Sequence, residues 1–296
     1  MKKTLKKMKA MLRPLLLRKH GYDVYLEGLQ KSAVIKEMNM TDKGTLCIVL
    51  SGHKYPVFAR KYPHSDINVL EQVFIDKEYK PLVDYILDNF SEQQDLKIID
   101  AGSNVGYFSL FIKEFFTTAR IACIEPDKEN MAVLTQNLQP FIDKQEVKTY
   151  RNGLAPASDV FLNIDNGFRG GKDWSFTVVE SAVPTELKSI TIYDVMKNNQ
   201  WDELDILKMD IEGSERFIFG PGMDLSFLNV TKLIAIEIHD EFKIRHSIYK
   251  ILRANHFLIL NFEGTTLAIN KKYIPADQVM GKGAGYTTSA LGRVSI

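Results

Sequence analysis

The chain lacks the features that mark disulfide-rich, zinc-binding or membrane-spanning proteins. Its 296 residues include only two cysteines, Cys47 and Cys123, which are far apart and stand in no metal-ligand spacing. This pair excludes a disulfide framework and a cysteine-based zinc site. No apolar run approaches the roughly 18 residues of a membrane span, and Arg13 interrupts the one stretch that resembles a signal peptide. We therefore expect a cytoplasmic protein.

Basic residues are scarce beyond the N-terminus. Residues 1–20 hold eight Lys or Arg and no Asp or Glu, whereas the other 276 residues hold 30 basic against 37 acidic side chains, a net charge of −7. Because a polyanion-binding surface needs a broad basic face, no nucleic-acid partner is expected. The N-terminal segment spaces its leucines almost as a helix does, which leaves two interpretations open: peripheral membrane contact, or a helix that is solvated or packed on the protein. The oligomeric state is not predicted.

The order of patterns along the chain predicts four segments. They are a basic N-terminal helix at 1–20, a cap at 21–92, an α/β domain at 93–280 and a mobile tail at 281–296. In the cap, short strands are expected before two helices. The predicted strands are Tyr22–Leu26, Thr45–Leu50 and Pro56–Ala59, and the predicted helices run from Asp66 to about Tyr79 and from Pro81 to Phe90.

Strands and helices alternate from Lys97 onward, which is typical of an open, mostly parallel sheet. The region from Asn152 to Leu187 separates the two halves of this pattern and is predicted to be irregular. Near the end, the apolar segments 257–262 and 265–269 flank Glu263-Gly264. This arrangement predicts a tight hairpin, and hence an antiparallel pair at one edge of the sheet.

A polar turn follows the first strand of the α/β domain. Asp100-Ala101-Gly102-Ser103-Asn104-Val105-Gly106 comes directly after the apolar run 96–99, and Glu125 closes the next apolar run nineteen positions after Gly106. The two glycines let the backbone turn sharply and approach a ligand, because a Cβ would intrude. The Glu125 carboxylate is then placed to accept hydrogen bonds from ribose hydroxyls. The alternative is a plain turn between strand and helix, with a solvated Glu125.

The second glycine of a pyrophosphate-binding loop is missing from this turn. Ser103 and Asn104 stand where the dinucleotide fingerprint G-x-G-x-x-G would have it. A ligand with a ribose but no pyrophosphate is therefore favoured, and S-adenosylmethionine is such a ligand. A nicotinamide dehydrogenase is disfavoured for the same reason.

Charged residues interrupt two later strands near their carboxyl ends, where ligands of open α/β sheets bind. Lys208 and Asp210 share one side of the fourth core strand, and Glu237 and His239 share one side of the fifth. We expect His239 to act as a general base near neutral pH, with Asp210 or Lys208 positioning the acceptor. A purely structural charge network is the alternative. No metal site is predicted, and a divalent cation held by these Asp, Glu and His residues is a secondary option.

The loop 168–176 combines glycines with aromatic residues beside the expected ligand site. It is interpreted either as a lid over the ligand or as a surface hairpin that covers the core.

Three stretches of the chain resemble the FkbM family of S-adenosylmethionine-dependent methyltransferases. They are Ile98–Leu110, Ile124–Leu138 and Ile206–Glu215, and residues 236–239 match the acidic strand that usually follows. The resemblance covers residues 66 to 269 or so. It implies the class I methyltransferase fold, a Rossmann-like sandwich whose seven-stranded, mostly parallel sheet has the order 3-2-1-4-5-7-6 with strand 7 antiparallel. Here an N-terminal α/β cap precedes it.

The resemblance also implies binding roles. The turn would hold the methionine end of S-adenosylmethionine, Glu125 its ribose, and Asn152 with its surroundings the adenine side. The predicted cofactor contacts are Asp100, Gly102, Ser103, Asn104, Gly106, Glu125, Pro126, Asn152 and Asp210. The predicted catalytic residues are Lys208, Asp210, Glu237 and His239.

The predicted function is O-methylation of a hydroxyl group, with S-adenosylmethionine as the methyl donor. Family members typically methylate sugars, glycans or secondary metabolites, so a sugar, glycan or related small molecule is the expected acceptor. One alternative is an RNA 2′-O-methyltransferase, which the acidic body of the chain disfavours. The other is a non-catalytic module that binds the cofactor, and its cofactor binding would survive Asp210→Ala and His239→Ala without any methyl transfer.

Overall fold

The computed structural model describes residues 20–31, 33–90, 95–165, 177–262 and 264–273. The chain forms two compact units, Met1–Glu71 and Gln72–Ile296. Residues 1–19 of the predicted basic helix, the loop 168–176 and the tail 281–296 lie outside the described residues. Within the described ranges, no helix combines the length and the apolar character needed to cross a membrane.

The first unit contains a small antiparallel sheet between two helices. Its elements are α1 (His20–Gln30), β1 (Ile35–Met40), β2 (Leu46–Leu50), β3 (Val57–Ala59) and α2 (Asp66–Leu70). Strand β2 pairs antiparallel with both β1 and β3. Its alternate residues Leu46, Ile48 and Leu50 are buried, as the two-residue period of a strand requires. The strands predicted at 45–50 and 56–59 are therefore confirmed.

The strand predicted at Tyr22–Leu26 is wrong, because these residues belong to helix α1. Leu26 is buried and Leu29 is partly buried. Residues three apart lie on one side of a helix, so both side chains can pack against the protein. This packing favours the helix, although the same residues also alternate between apolar and polar as a strand does. No pattern in the sequence predicts β1, since Ile35 is its only fully buried residue.

The helix predicted from Asp66 to about Tyr79 is shorter than expected. Helix α2 continues as one turn of π-helix, Glu71–Ile75. Lys77 then has a φ of 56°, which lies outside the helical region and ends the run.

The second unit carries the predicted alternation of strands and helices. Its elements are α3 (Lys80–Asn89), β4 (Lys97–Ala101), α4 (Tyr107–Phe115), β5 (Arg120–Ile124), α5 (Lys128–Ile142), β6 (Val147–Tyr150), β7 (Gly153–Leu154), β8 (Phe161–Asp165), β9 (Thr177–Glu180), β10 (Leu187–Ile190), α6 (Ile192–Asn199), β11 (Leu204–Met209), α7 (Glu215–Ile218), β12 (Thr231–Glu237), α8 (Arg245–Ala254), β13 (Phe257–Phe262) and β14 (Thr265–Asn270). Short 3₁₀ turns lie at Ser226–Asn229, Asp240–Phe242 and Lys271–Tyr273.

Seven of these strands form one sheet in the order β13-β14-β12-β11-β4-β5-β6. Strand β14 runs antiparallel to β12 and β13, whereas the neighbours from β12 to β6 are parallel. Counted along the chain, this is the order 3-2-1-4-5-7-6 that the family resemblance implies. The order reverses between β4 and β11, so their carboxyl ends flank the crevice where ligands of such sheets bind.

The central strand β11 shows why the strands of this unit can be recognised in the sequence. All six of its residues are buried, because both faces of the sheet are covered. Strands buried on both faces are nearly continuous apolar runs, which are easy to recognise. Its charged residues are paired: Asp205, for example, lies 2.7 Å from the ammonium nitrogen of Lys232.

The prediction of an irregular region at 152–187 is wrong. Strands β7, β10, β8 and β9 form a second sheet in that order. Each strand has only two to five residues, too few for a clear period, and β7 and β10 pair across a long sequence separation. Helix α6 follows, and the reciprocal hydrogen bonds between Thr191 and Asp194 cap its start.

Candidate active site

The turn after β4, residues 100–106, is held by backbone hydrogen bonds and is called the glycine turn below. The N–H groups of Gly102 and Ser103 both donate to the carbonyl of Ile124, each at 3.0 Å. Gly102, Asn104 and Gly106 all have a positive φ, of 72°, 49° and 83°. Glycine adopts this conformation without the Cβ clash that other residues suffer. The sequence of the turn thus dictates its shape.

The two glycines are required by the protein itself rather than by a ligand. A Cβ on Gly102 would lie 1.8 Å from the carbonyl oxygen of Asp210, and one on Gly106 would lie 3.2 Å from Leu134. The close approach predicted from the sequence is therefore real, but its partner is the end of β11 and the helix α5. In the turn, Gly102 and Asn104 are partly exposed and can face a ligand.

Asp100 anchors the glycine turn from inside the protein, and its direct contact with the cofactor stays a prediction. Its side chain is fully buried, and one carboxylate oxygen accepts a 2.7 Å hydrogen bond from Ser109. The other oxygen lies 3.3 Å from the ammonium group of Lys208. Both oxygens are thus engaged beneath the turn. The hydroxyl of Ser103 likewise points inward, donating to the carbonyl of Asp100 at 2.6 Å.

Lys208 holds the same turn from the neighbouring strand. The register of β11 on β4 places it beside Asp100. Its ammonium donates to the carbonyl of Gly102 at 2.7 Å and lies 3.9 Å from Asp210. Burial lowers the pKa of Lys208, but the carboxylates of Asp100 and Asp210 more than offset this and raise it. Because its ammonium group is charged and donates to a backbone carbonyl, Lys208 positions the turn and does not accept a proton.

Glu125 ends β5 beside the glycine turn, as predicted. One of its oxygens accepts from the Asn104 N–H at 2.8 Å. The other accepts from the Asp127 N–H at 3.0 Å and from the Asn130 amide at 3.3 Å. Burial raises its pKa to about 7, although these hydrogen bonds lower it. A carboxylate accepts about four hydrogen bonds, and described residues supply three of them.

Two further predicted cofactor residues lie at the same edge of the sheet. Pro126 follows β5 and is partly exposed. Asn152 follows β6, and its amide nitrogen donates to the carbonyl of Lys188 at 3.1 Å. The amide of Asn152 therefore ties the loop after β6 to strand β10, which helps to shape this end of the site.

The charged residues after β11 and β12 form a second group, called the acidic edge below. It consists of Asp210, Glu212, Glu215, Glu237 and His239. The imidazole of His239 lies between two carboxylates: its Nε2 is 3.1 Å from Glu212 and its Nδ1 is 3.2 Å from Glu215. Burial lowers the pKa of His239, but the hydrogen bonds with Glu212 and Glu215 outweigh burial and raise it to about 11.

The contacts of His239 favour a charged imidazole, and its role as a general base stays a prediction. A base must be neutral to accept a proton, and the two flanking carboxylates stabilise the protonated form. Strand alternation predicted correctly that His239 lies near the acidic residues. The sequence did not show that Glu212 and Glu215 would face its two nitrogens.

Glu237 ends β12 and lies near Asp210. The carboxylate of Asp210 and burial raise the pKa of Glu237 to about 8, while His239 lowers it. Two residues that sequence reasoning missed approach from α3 and the loop before it: Glu78, whose carboxylate accepts from the Thr265 hydroxyl at 3.0 Å, and Tyr79. Burial raises the pKa of Tyr79, and Glu78, Asp210 and Glu237 raise it further. Neither residue belongs to a strand end, so no motif signals them.

The chain is similar to known methyltransferases. Residues 100–263 match the Methyltransferase FkbM domain. Methyltransferase sdnD of Sordaria araneosa is 24% identical over 220 residues, 64% of this chain and 84% of that protein. The AMB antimetabolite synthetase AmbE of Pseudomonas aeruginosa is 21% identical over 207 residues, which are 58% of this chain but 9% of that protein.

Two solved structures were compared with the fold. Methyltransferase FkbM from Methylobacillus flagellatus has a TM-score of 0.37 at 17% identity, over 61% of this chain and 44% of that one. A putative caffeoyl-CoA O-methyltransferase from Staphylococcus aureus has a TM-score of 0.40 at 13% identity, over 70% of this chain and 93% of that one.

Proposed function

The chain belongs to the FkbM methyltransferase family, and from this membership we propose that it methylates a hydroxyl oxygen of a sugar, glycan or related small molecule. The family match spans residues 100–263, more than half of the chain. The protein is accordingly an enzyme that transfers methyl groups, and membership of such a family implies S-adenosylmethionine as the donor.

The glycine turn and Glu125 are the residues that suit the cofactor. Glu125 lies at the carboxyl end of β5, the end at which ligands of such sheets bind, so a ribose hydroxyl can donate to its carboxylate. The partly exposed residues Gly102 and Asn104 suit the methionine end of the cofactor. Asp100 and Lys208 contribute indirectly, because they hold this backbone from below.

The carboxylates at the ends of β11 and β12 are the observation that carries the oxygen-acceptor proposal. In the transfer, a lone pair of the acceptor oxygen forms the bond to the methyl carbon, and the carbon–sulfur bond breaks with its electron pair going to sulfur. The hydroxyl proton must then leave. We assign Glu237 as its acceptor, since His239 is already flanked by two carboxylates. Asp210, which is 29% exposed, orients the hydroxyl.

The charge of this edge supports a neutral, polyhydroxylated acceptor. Carboxylates accept hydrogen bonds from sugar hydroxyls, whereas they repel the phosphates of a nucleic acid. The net charge of −7 outside residues 1–20 acts in the same direction.

The acceptor class is tested by methyl transfer from labelled S-adenosylmethionine. The full chain is incubated with three separate pools: neutral glycans, small polyhydroxylated metabolites, and RNA. We expect label in the first two pools, and we expect it to survive alkali, because a methyl ether is stable where a methyl ester is hydrolysed. Label in RNA alone would contradict the acceptor class, and alkali-labile label would contradict transfer to a hydroxyl oxygen. A Glu129→Ala variant, altered at an exposed site on α5, serves as the active control.

A further inference from the structure

Three side chains of the acidic edge point their ligand atoms at one place. Asp210, Glu212 and His239 each offer one such atom, and these atoms lie within 4.8 Å of one another. Nε2 of His239 lies 3.1 Å from a carboxylate oxygen of Glu212. Atoms that share a small divalent cation, bound at about 2.1 Å, are separated by about 3 to 4 Å. The three ligand atoms are near such a spacing, and a cation that binds between them would take the place of the proton on Nε2.

The buried Glu215 orients the histidine for this role. Its carboxylate lies 3.2 Å from Nδ1 of His239, and the same oxygen accepts from the N–H of Ile211 at 3.0 Å. Metal-binding histidines commonly donate their second N–H to a carboxylate, which sets the tautomer and aims the other nitrogen at the ion. Glu215 is fully buried, so solvent does not compete for this contact.

Asp210 contributes the second carboxylate of the ligand set. Its Oδ2 faces Lys208 at 3.9 Å, whereas Oδ1 is buried and has no hydrogen-bond partner among the described residues. A buried carboxylate oxygen without a partner is costly. The side chain as a whole is 29% exposed, which leaves a path for an ion or a substrate to reach it.

The charge of the acidic edge also favours a cation. The acidic edge contains four carboxylates and one imidazole, and Lys208, which lies 3.9 Å from Asp210, is closer to Asp100 and to the Gly102 carbonyl. Grouping like charges in a partly buried site is unfavourable unless a counter-charge balances them. A divalent ion supplies that counter-charge at the position where the ligand atoms converge.

We propose that Asp210, Glu212 and His239 bind a divalent cation of the magnesium and manganese class, oriented by Glu215. One imidazole and two carboxylates suit Mn²⁺ better than Mg²⁺, since imidazole is the softer ligand. The remaining positions of the ion would take oxygen atoms of the acceptor. This last role rests on the proposed function, whereas ion binding itself does not.

The test measures Mn²⁺ binding to the full chain without cofactor or acceptor. Mn²⁺ is titrated by electron paramagnetic resonance, in which the free ion gives the signal. We expect saturable binding of one ion, weakened about tenfold or more in Glu212→Gln. Glu186→Gln, which changes an exposed glutamate, is the matched control and should bind Mn²⁺ as the unaltered chain does.

A second measurement identifies the ligands directly. Electron spin-echo modulation of bound Mn²⁺ should show a coordinated imidazole nitrogen, and His239→Gln should remove it. Absence of saturable binding at millimolar Mn²⁺, or binding and nitrogen modulation that persist in both variants, would overturn the proposal. Circular dichroism verifies that each variant is folded. Titration with S-adenosylhomocysteine separates the two proposals: cofactor binding without Mn²⁺ binding would remove the metal site and leave the proposed function in place.

Discussion

The glycine turn and the acidic edge lie at the same end of the sheet, but they are stabilised in opposite ways. In the turn, each charge has a built-in partner: Asp100 faces Ser109 and Lys208, and Glu125 accepts two backbone N–H groups and an amide. In the acidic edge, carboxylates outnumber cations, and Lys208 lies 3.9 Å from Asp210 but 3.3 Å from Asp100. A site that binds a constant ligand can be fully pre-organised. A site that exchanges protons or ions with an acceptor needs charged groups that are not fully paired within the protein.

The largest effect is expected from adding one methyl group to the glycine turn. Gly102→Ala places a Cβ 1.8 Å from the backbone carbonyl of Asp210 at a φ of 72°. Backbone atoms cannot move aside cheaply, so we expect a loss of more than about 4 kcal/mol in the free energy of unfolding, measured by urea denaturation. Gly222→Ala is the matched control, with a φ of 78° and no atom within 4 Å, and should cost only about 1–2 kcal/mol. Equal costs would show that the contact with Asp210 is not tight.

A substitution in the acidic edge should change the rate of methyl transfer rather than the free energy of unfolding. Glu237→Gln removes the assigned proton acceptor while keeping the side-chain volume, so we expect methyl transfer to fall about 100-fold. The dissociation constant of S-adenosylhomocysteine should change little. Glu186→Gln is the control, because it changes an exposed glutamate outside the acidic edge. A normal rate in Glu237→Gln would exclude it as the proton acceptor.

A substitution of Glu125 tests the comparison from the other side, because it should weaken cofactor binding rather than slow the methyl-transfer step. Glu125→Ala removes the carboxylate that we assign to the ribose, and the dissociation constant of S-adenosylhomocysteine should rise about tenfold or more. Isothermal titration calorimetry measures this, with Glu129→Ala as the exposed control. An unchanged constant would exclude Glu125 from the ribose site.

The smallest effect expected is a pH dependence of cofactor binding. Burial raises the pKa of Glu125 to about 7 in the free protein. Ribose hydroxyls donate to the ionised carboxylate, which lowers its pKa in the complex. Affinity for S-adenosylhomocysteine is therefore full above the free-state pKa and is lost as the pH falls through it, several-fold between about pH 8 and pH 6. Glu125→Gln should flatten this profile, and a sloping profile in that variant would assign the effect to another group.

The parts of the fold that the sequence predicted well are those with continuous apolar strands. The predicted segment 257–262 has the bounds of β13, and the predicted segment 265–269 is one residue shorter than β14. The errors fall where short strands pair over long distances, as in β7 to β10, or where an amphipathic helix happens to alternate, as in α1. The spacing of apolar residues alone does not distinguish a helix from a strand in such segments, because the contacts that stabilise them come from elsewhere in the chain.

The sequence by itself determined the class of fold, the position of the glycine turn and the residues that gather at the carboxyl ends of the strands. These depend on local order: apolar runs, glycines with positive φ, and spacing between strand ends. Only the tertiary structure decided what each charged residue does there. It directed Asp100 and Lys208 inward, placed His239 between Glu212 and Glu215, and brought Asp210 near Glu212 and His239. The state of a titratable group depends on neighbours within a few ångströms, and the fold brings those neighbours together from distant parts of the chain.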